Sequence, residues 1–394
     1  MRREGGLFPE STGMDYLLDF WDQYYLQDFI SGGGSKIKFV TGRPGSGKTF
    51  FLNSFAKRAE ADGFRTVSFS AKNVWLNDFR EIYLEVLHQT DFQACLQGCA
   101  DEIVRRLGYK PEDIPEGKRF YDYLSDRHEN DAVMFLEIRN QLNDMFRKDP
   151  LMDNNFADAC ALLTGSLLGR PVLDQTSEDT LYGWLNADKS VKLSALRQLG
   201  LSPSRITKYN ARHMLRSLAS FVRKAGYKGL VICVDDLDIL QSAKGTDEMH
   251  YTKMRRDDTY ELIRQLIDDI DTMQYIMFVF GFDRVLMDNE NAGMKSYQAL
   301  WMRVQNEIVS RRFNCFADIA DLDRFASQFY TPEYLVSMSE QLASKAKEHS
   351  ASLQPMSLQE AKDMLDQSRN SGVGIAETVY RAVLQKEEGV DDNG

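Results

Sequence analysis

Residues 42–49 decide the fold, and they read Gly42-Arg43-Pro44-Gly45-Ser46-Gly47-Lys48-Thr49. This octet matches G-x-x-x-x-G-K-[ST], the pattern of a phosphate-binding P-loop. It follows a predicted buried strand at 36–41 and precedes a stretch with helical apolar spacing at 50–58. Strand, glycine loop and helix form the context in which the pattern binds phosphate. The alternative interpretation is a glycine-rich turn with a surface lysine.

Glycine suits such a loop because backbone N–H groups can close around phosphate oxygens without a Cβ in the way. The helix that follows directs its positive dipole end at the anion. We expect Lys48 to reach the β and γ phosphates and Thr49 to hold Mg²⁺ through its hydroxyl. The predicted ATP-contacting residues are Gly42, Pro44, Gly45, Ser46, Gly47, Lys48, Thr49 and Phe50.

Length and composition indicate a globular protein. At 394 residues the chain is long for one core, so one elaborated domain or two domains are expected. Hydrophobic residues make up 43% and charged residues 27%, as in ordinary globular proteins. No apolar run is long enough for a membrane span, and the charged residues 1–6 lack the apolar stretch of a secretory signal. We therefore expect no membrane partner and a cytoplasmic location.

Cysteine usage and net charge restrict the function further. The five cysteines include no C-x-x-C pair, which favours a reduced, cytosolic setting. Cys95 and Cys99 can share a helix face, but a metal site would need more ligands. The net charge of −11 argues against a surface covered in positive charge for nucleic acid, although a local basic pore remains compatible with it.

The order of predicted elements indicates an α/β fold with a central parallel sheet. The unbroken apolar run at 229–236 is typical of a strand covered on both faces. We divide the chain into an N-terminal helical segment (1–35), a P-loop core (36–318) with a helical insert at about 75–225, and a C-terminal helical lid (319–394). Strands are predicted at 36–41, 65–70, 229–236 and 275–280, and helices at 247–272 and 296–311, with a capping box at 357–360.

Hydrolysis needs a carboxylate on a neighbouring strand for Mg²⁺ and a polar group that positions water. Asp235, at the end of the apolar run, is the predicted Mg²⁺ partner. Asp236 stands where many ATPases have a catalytic Glu. Its side chain is one methylene shorter than that of Glu, and a misplacement of water by about 1 Å can cost about a hundredfold in rate. Alternatively, Asp235, Asp236 and Asp238 are acidic caps in a first helical turn.

Other polar residues are candidates for sensing the γ-phosphate. Asp283 follows the predicted strand at 275–280, although a phosphate repels a carboxylate there and a loop cap is the alternative. An arginine finger is expected from a basic residue near a neighbour's γ-phosphate, and the alternative is a solvated surface charge. The finger candidates are Arg303, Arg311 and Arg312, with Arg255 and Arg256 besides, and those for a second sensor are Arg369 and Arg381.

Several segments outside the P-loop are familiar: 182–185 (YGWL), 196–201 (LRQLGL), 210–219 (NARHMLRSLA), 226–231 (GYKGLV), 260–268 (YELIRQLID) and 293–303 (GMKSYQALWMR). With the P-loop they resemble the ATP-binding proteins of BREX phage-defence systems, the BrxC/BrxD-type P-loop ATPases. The resemblance implies an AAA+-like ATPase of a bacterial anti-phage cassette, working beside other defence proteins such as a helicase or nuclease. It carries the family's nucleotide residues onto Gly42, Gly45, Gly47, Lys48, Thr49 and Asp235.

The chain departs from the family pattern at three places. Asp236 stands where the family usually has Glu, and Gly281-Phe282 where it usually has Gly-Thr. Residues 186–188 read Asn-Ala-Asp where a Gly-Glu pair is usual. The first two departures weaken the expectation of fast turnover and leave nucleotide binding nearly untouched.

Three functions follow from these observations. The leading hypothesis is an ATP- and Mg²⁺-dependent switch or motor that works as a homo-oligomeric ring. Its binding to DNA rests on the resemblance alone, because no basic run with interleaved aromatics is present. The alternative is a regulatory scaffold that binds ATP with little or no hydrolysis. A small-molecule kinase is a third hypothesis, which the absence of an arginine-rich lid after the P-loop helix disfavours.

Overall fold

The computed structural model describes residues 14–129, 132–242, 249–305, 313–348, 354–368 and 372–388. Within them the chain forms one sheet of five parallel strands with helices on both faces. The strands are β1 Ser35–Gly42, β2 Arg65–Ser70, β3 Leu230–Asp235, β4 Ile276–Asp283 and β5 Ile319–Asp321. Their order in the sheet is β2-β3-β4-β1-β5. The α/β prediction and the four predicted strands are confirmed.

The structure differs from the predicted strands in two places. The fifth strand was missed, since its three residues are too few to form an apolar pattern. The strand predicted to end at Phe280 continues to Asp283, so Gly281 and Phe282 lie inside β4. Phe282 is fully buried in the core on the opposite side of the sheet from the P-loop helix.

Between β2 and β3, the described residues form helices joined by turns and loops. Residues 130 and 131 are not among the described residues. The first α-helix of this stretch begins at Phe79, because the Asp78 side chain caps it by accepting a hydrogen bond from Arg80 N. The α-helices in this stretch are α3 Phe79–Gln89, α4 Phe92–Arg106, α5 Phe120–Asp126, α6 Ala132–Leu142, α7 Asn154–Leu168, α8 Gln175–Leu185, α9 Leu193–Gln198 and α10 Ala211–Lys224.

The remaining α-helices flank the strands. The predicted helix at 247–272 is observed as α11, and the one at 296–311 is described only as the short α13. The helices are α1 Met14–Trp21, α2 Lys48–Ala61, α11 Lys253–Asp269, α12 Arg284–Asp288, α13 Gln298–Val304, α14 Leu322–Phe329, α15 Pro332–Glu348, α16 Leu358–Ser368 and α17 Ile375–Glu388. A π-helix, Asp22–Ile30, continues α1.

The sheet separates two cores, because successive side chains of a strand point to opposite faces. In β3, Ile232 and Val234 pack with the helices between β2 and β3. Val231 and Cys233 face the other way and pack with α1, α2 and the helices after β5. Burial of one such aliphatic side chain contributes about 1.5–3 kcal/mol, which is why this strand is apolar throughout.

The helices after β5 fold back onto the P-loop side of the sheet. The predicted capping box at the start of α16 is confirmed. Ser357 N donates to Glu360 Oε2 at 2.7 Å, and Glu360 N donates to Ser357 Oγ at 3.3 Å. These reciprocal bonds satisfy donors that the first turn of a helix otherwise leaves without partners.

The five cysteines are free thiols. Burial raises the pKa of Cys95 to about 12, and its neighbour on α4, Cys99, is buried as well. Among the described residues, no group of three or more His, Cys, Asp and Glu side chains is arranged to hold a metal ion. In the same part of the chain, no helix has the length and apolar character needed to cross a membrane.

Candidate functional site

The carboxyl ends of four neighbouring strands meet at one edge of the sheet. Gly42 of β1 pairs with Asp283 of β4, and Ser70 of β2 pairs with Asp235 of β3. Between these pairs, Val234 lies opposite Phe280 and joins β3 to β4. This edge is where open α/β sheets bind ligands. The register therefore gathers polar residues that are far apart in the sequence.

The P-loop connects β1 to α2 at this edge, as predicted. Gly45 has φ 74° and Gly47 has φ 93°, a left-handed conformation that strains any residue with a Cβ. Lys48 is the first residue of the 14-residue helix α2, whose N-terminus carries partial positive charge. The loop thus combines open backbone and a helix dipole, which is the arrangement that fits a phosphate.

Two other predicted contact residues of the loop differ in exposure. Ser46 is 4% exposed, and its hydroxyl has no hydrogen-bond partner among the described residues. Phe50, in the first turn of α2, is 58% exposed. A buried orphan hydroxyl inside the loop and an exposed aromatic ring beside it are both compatible with a ligand at this position.

The Lys48 ammonium contacts a carboxylate and two carbonyl oxygens of the protein. Its Nζ lies 2.5 Å from Asp283 Oδ1, and the side chain is only 10% exposed. The same nitrogen donates to the carbonyl oxygens of Arg43 at 3.1 Å and Gly42 at 3.4 Å. The lysine thus neutralises a carboxylate and bonds to the loop's own carbonyls.

Thr49 and Asp235, the predicted metal residues, are in direct contact. The Thr49 hydroxyl donates to Asp235 Oδ2 at 2.5 Å. The other oxygen, Oδ1, accepts from Asp236 N at 2.9 Å. Hydroxyl and carboxylate oxygens are ligands that Mg²⁺ accepts, so the pair fits one face of a magnesium site.

Gly281 makes room for this carboxylate, a role that the sequence analysis missed. A Cβ at position 281 would lie 2.7 Å from Asp235 Oδ1 and 3.1 Å from the side chain of Leu52. Contacts below 3.0 Å force a shift of the neighbour. The glycine therefore lets β4 pass close to the Asp235 side chain.

The Asp236 carboxylate contacts residues at the end of β2. Its Oδ2 accepts from Ser70 Oγ at 2.6 Å, and its Oδ1 lies 2.7 Å from Lys72 Nζ. Burial alone would raise the pKa of this carboxyl, but the hydrogen bonds from Lys72 and Ser70 outweigh burial, and the pKa lies below its ordinary value. Asp236, with φ 58°, stands at the N-cap position of a short 3₁₀-helix at Leu237–Gln241, but its side chain makes no cap hydrogen bond there.

Asp283 and Asp238 place two more carboxyls at the edge. Asp283 N donates to Asp238 Oδ1 at 3.2 Å. Burial, together with the charge of Asp283, raises the pKa of Asp238. Asp283 stands at the N-cap position of α12, and its side chain makes no cap hydrogen bond there. Its carboxylate instead faces the P-loop lysine.

Two later segments brace the P-loop. Asp323 of α14 accepts from Arg43 N at 2.7 Å and pairs with the Arg43 side chain at 3.1 Å. At the start of α17, Gly374 N donates to Pro44 O at 2.8 Å, and Glu377 N donates to Gly45 O at 3.0 Å. The sequence carried no signal for these contacts, because they join distant segments through tertiary packing.

Three of the arginine candidates, Arg303, Arg255 and Arg381, contact other residues of the chain. Arg303 Nε and Nη2 each donate a hydrogen bond to an Asp268 carboxylate oxygen at 3.0 Å, so the guanidinium is engaged within the chain. Arg255 lies over the Trp75 ring at 4.2 Å, and Arg381 pairs with Glu377 at 2.8 Å. Arg311, Arg312 and Arg369 lie outside the described residues.

The sequence matches the model of a known protein family over most of its length. The family model described as "BREX system ATP-binding protein BrxC/D" matches residues 26–386. The match covers the P-loop, all five strands and the start of α17. A search of the curated proteins finds no match.

Proposed function

The chain belongs to the family of BREX system ATP-binding proteins, and we propose that it binds ATP with Mg²⁺ at the carboxyl edge of the sheet and hydrolyses it slowly. In this proposal it is an AAA+-like switch or motor of phage defence. The observation that carries the proposal is the 2.5 Å contact between Thr49 and Asp235 beside a P-loop lysine. Such a pair of oxygens is what a nucleotide-bound Mg²⁺ requires.

Each residue has a role in this proposal. The backbone N–H groups of 45–49 and the Lys48 ammonium would hold the phosphates. Thr49 and Asp235 would hold the metal, and Gly281 would keep the Asp235 carboxylate in place. A bound Mg²⁺ would neutralise charge that develops on the β and γ phosphate oxygens.

Slow turnover is part of the proposal because the water-positioning residue is engaged elsewhere. Asp236 is bonded to Ser70 and Lys72. An aspartate also reaches less far than the glutamate usual at this position. The same observation favours the second candidate, a regulatory scaffold that binds ATP with little or no hydrolysis.

Assembly and partners extend the proposal. A homo-oligomeric ring would let a neighbouring subunit supply an arginine finger in trans. Arg303 would have to leave Asp268 to serve, whereas Arg311 and Arg312 stay candidates from the sequence. We also propose DNA and other defence proteins, such as a helicase or nuclease, as partners. The division into an N-terminal segment, a core with a helical insert and a C-terminal lid is part of the same proposal.

The test compares the wild type with Lys48→Ala and Asp235→Ala, in ATP binding and in phosphate release with Mg²⁺. We expect Lys48→Ala to lose ATP affinity and both variants to lose phosphate release. Lys57→Ala, an exposed lysine of the same helix, is the matched control and should behave as the wild type. Equal binding and release in all four proteins would contradict the proposal.

A second measurement separates the two candidate functions. A slow ATPase releases phosphate above the level of Asp235→Ala, and Asp236→Glu should raise its rate. A scaffold binds ATP but releases no phosphate above that level. ATP-dependent assembly without hydrolysis would favour the scaffold.

A further inference from the structure

The ion pair between Lys48 and Asp283 is the contact that a nucleotide must change. Lys48 Nζ and Asp283 Oδ1 are 2.5 Å apart, with side chains 10% and 27% exposed. A pair so largely removed from water is only weakly screened by salt. The pair engages the lysine with which a P-loop binds the β and γ phosphates.

Asp283 cannot easily move away from the phosphate position. It is the last residue of β4, which lies between the P-loop strand β1 and the Asp235 strand β3. Its backbone pairs with Gly42 and donates to Asp238. The backbone that carries this carboxylate is thereby fixed beside the P-loop, close to the residues proposed to hold the metal.

Recruitment of Lys48 by phosphates would leave the Asp283 carboxylate without its counter-ion. That carboxylate would then face the negative charge of the nucleotide. Asp238, hydrogen-bonded to the Asp283 backbone, adds no positive charge that could replace the lysine. The unfavourable contact grows with the number of phosphate charges, because like charges brought together repel.

We propose that Asp283 is a nucleotide-displaced counter-ion of Lys48 that selects against the γ-phosphate, so that a nucleoside diphosphate binds at least as tightly as a triphosphate. This inference rests on the proposed nucleotide site and adds a preference to it. The site would hold ADP firmly and accept ATP at a cost, which suits a slow switch better than a fast motor. Asp283 acts here as a specificity-determining residue.

The test measures affinities of the full chain for ADP and for a non-hydrolysable ATP analogue, both with Mg²⁺, by calorimetry. In the wild type, ADP should bind as tightly as the analogue or more tightly. Asp283→Asn should tighten the analogue by about tenfold and ADP by clearly less, because only the analogue carries the extra charge near position 283. Asp283→Glu keeps the charge and should keep the wild-type preference.

Asp288→Asn is the matched control, since Asp288 pairs with Arg284 at 3.4 Å and lies outside the site. Asp283→Ala removes the same carboxylate and serves if the Asn variant does not fold. A wild type that prefers the analogue tenfold, or equal gains for both nucleotides in Asp283→Asn, would overturn the inference while nucleotide binding stands. No binding of either nucleotide by any variant would overturn the proposed function and this inference together.

Discussion

Two contacts that begin at neighbouring residues of α2 would respond to the proposed nucleotide in opposite ways. Thr49 and Asp235 are 2.5 Å apart, and both would stay in place as ligands of one Mg²⁺. Lys48 and Asp283 are also 2.5 Å apart, but phosphates would draw the lysine away from the carboxylate. If the proposed site binds Mg²⁺ and ATP, one edge of the sheet holds a metal site that is already half assembled beside a contact that competes with the phosphates.

The largest effect should come from disturbing the assembled contact. In Gly281→Ala the new Cβ would lie 2.7 Å from Asp235 Oδ1 and push the carboxylate away from Thr49. A displacement near 1 Å can cost about a hundredfold, so we expect phosphate release to fall by about that factor. The measurement is steady-state phosphate release with saturating Mg²⁺.

Binding of ATP in the presence of EDTA is the internal control for this variant. The P-loop amides and Lys48 do not touch position 281, so metal-free affinity should be unchanged. Equal losses with and without Mg²⁺ would mean that the substitution disturbs the loop as a whole, which contradicts the role given to Gly281.

A smaller effect is expected where α17 meets the loop. In Gly374→Ala the Cβ would lie 2.3 Å from Ser46 N, so α17 must withdraw from Pro44 and Gly45. The variant loses two backbone hydrogen bonds that are worth about 1 kcal/mol each, which together correspond to about a thirtyfold loss of ATP affinity. Calorimetric titration with the ATP analogue measures it.

Gly372→Ala is the matched control, because a Cβ at that position meets no atom within 4 Å. It should bind the analogue as the wild type does. If Gly374→Ala binds equally well, contact with α17 does not support the loop in the nucleotide-bound state.

The smallest effect concerns Asp236. Its ion pair with Lys72 joins side chains that are 33% and 44% exposed, and such pairs contribute at most about 1 kcal/mol. Lys72→Ala frees Asp236 from this partner, and we expect phosphate release to rise by about fivefold at most. A decrease in release would contradict the view that Lys72 restrains Asp236.

The same variant changes the pH dependence of stability. The folded-state pKa of Asp236 lies below the ordinary 3.8, so its pair stabilises the protein above pH 3.8 and is lost as the pH falls below it. Without Lys72, the Ser70 hydrogen bond still opposes burial, but the pKa of Asp236 lies higher than in the wild type, so the loss begins at higher pH. Denaturant unfolding of wild type and Lys72→Ala between pH 3 and 7 checks this; parallel curves would contradict it.

The sequence predicted those parts of the fold and site that depend on local pattern. The run Leu230–Asp235 is continuously apolar up to its final acid because β3 is covered on both faces, and it identified the strand and its terminal carboxylate together. The P-loop is equally local, since its glycines and lysine are required by backbone geometry within one turn. Thr49 and Asp235 were therefore expected to meet.

The local sequence pattern does not predict how the strands are paired in register. Asp283 contacts Lys48 because β4 pairs with β1 as far as Gly42, and no local pattern sets that register. Alternation along β4 points Phe282 into the opposite core, so the residue at the site is the next one along. The contact of α17 with the P-loop escaped prediction for the same reason, whereas β5 escaped because its three residues are too few to form an apolar pattern.

The most direct test of the central claim is a crystal structure with a non-hydrolysable ATP analogue and Mn²⁺, with the metal located by its anomalous scattering. We predict one Mn²⁺ bound at Thr49 Oγ1 and close to the Asp235 carboxylate, with Lys48 moved from Asp283 to the phosphates. A metal bound away from these two residues, or a nucleotide that leaves the Lys48–Asp283 pair intact, would contradict the account.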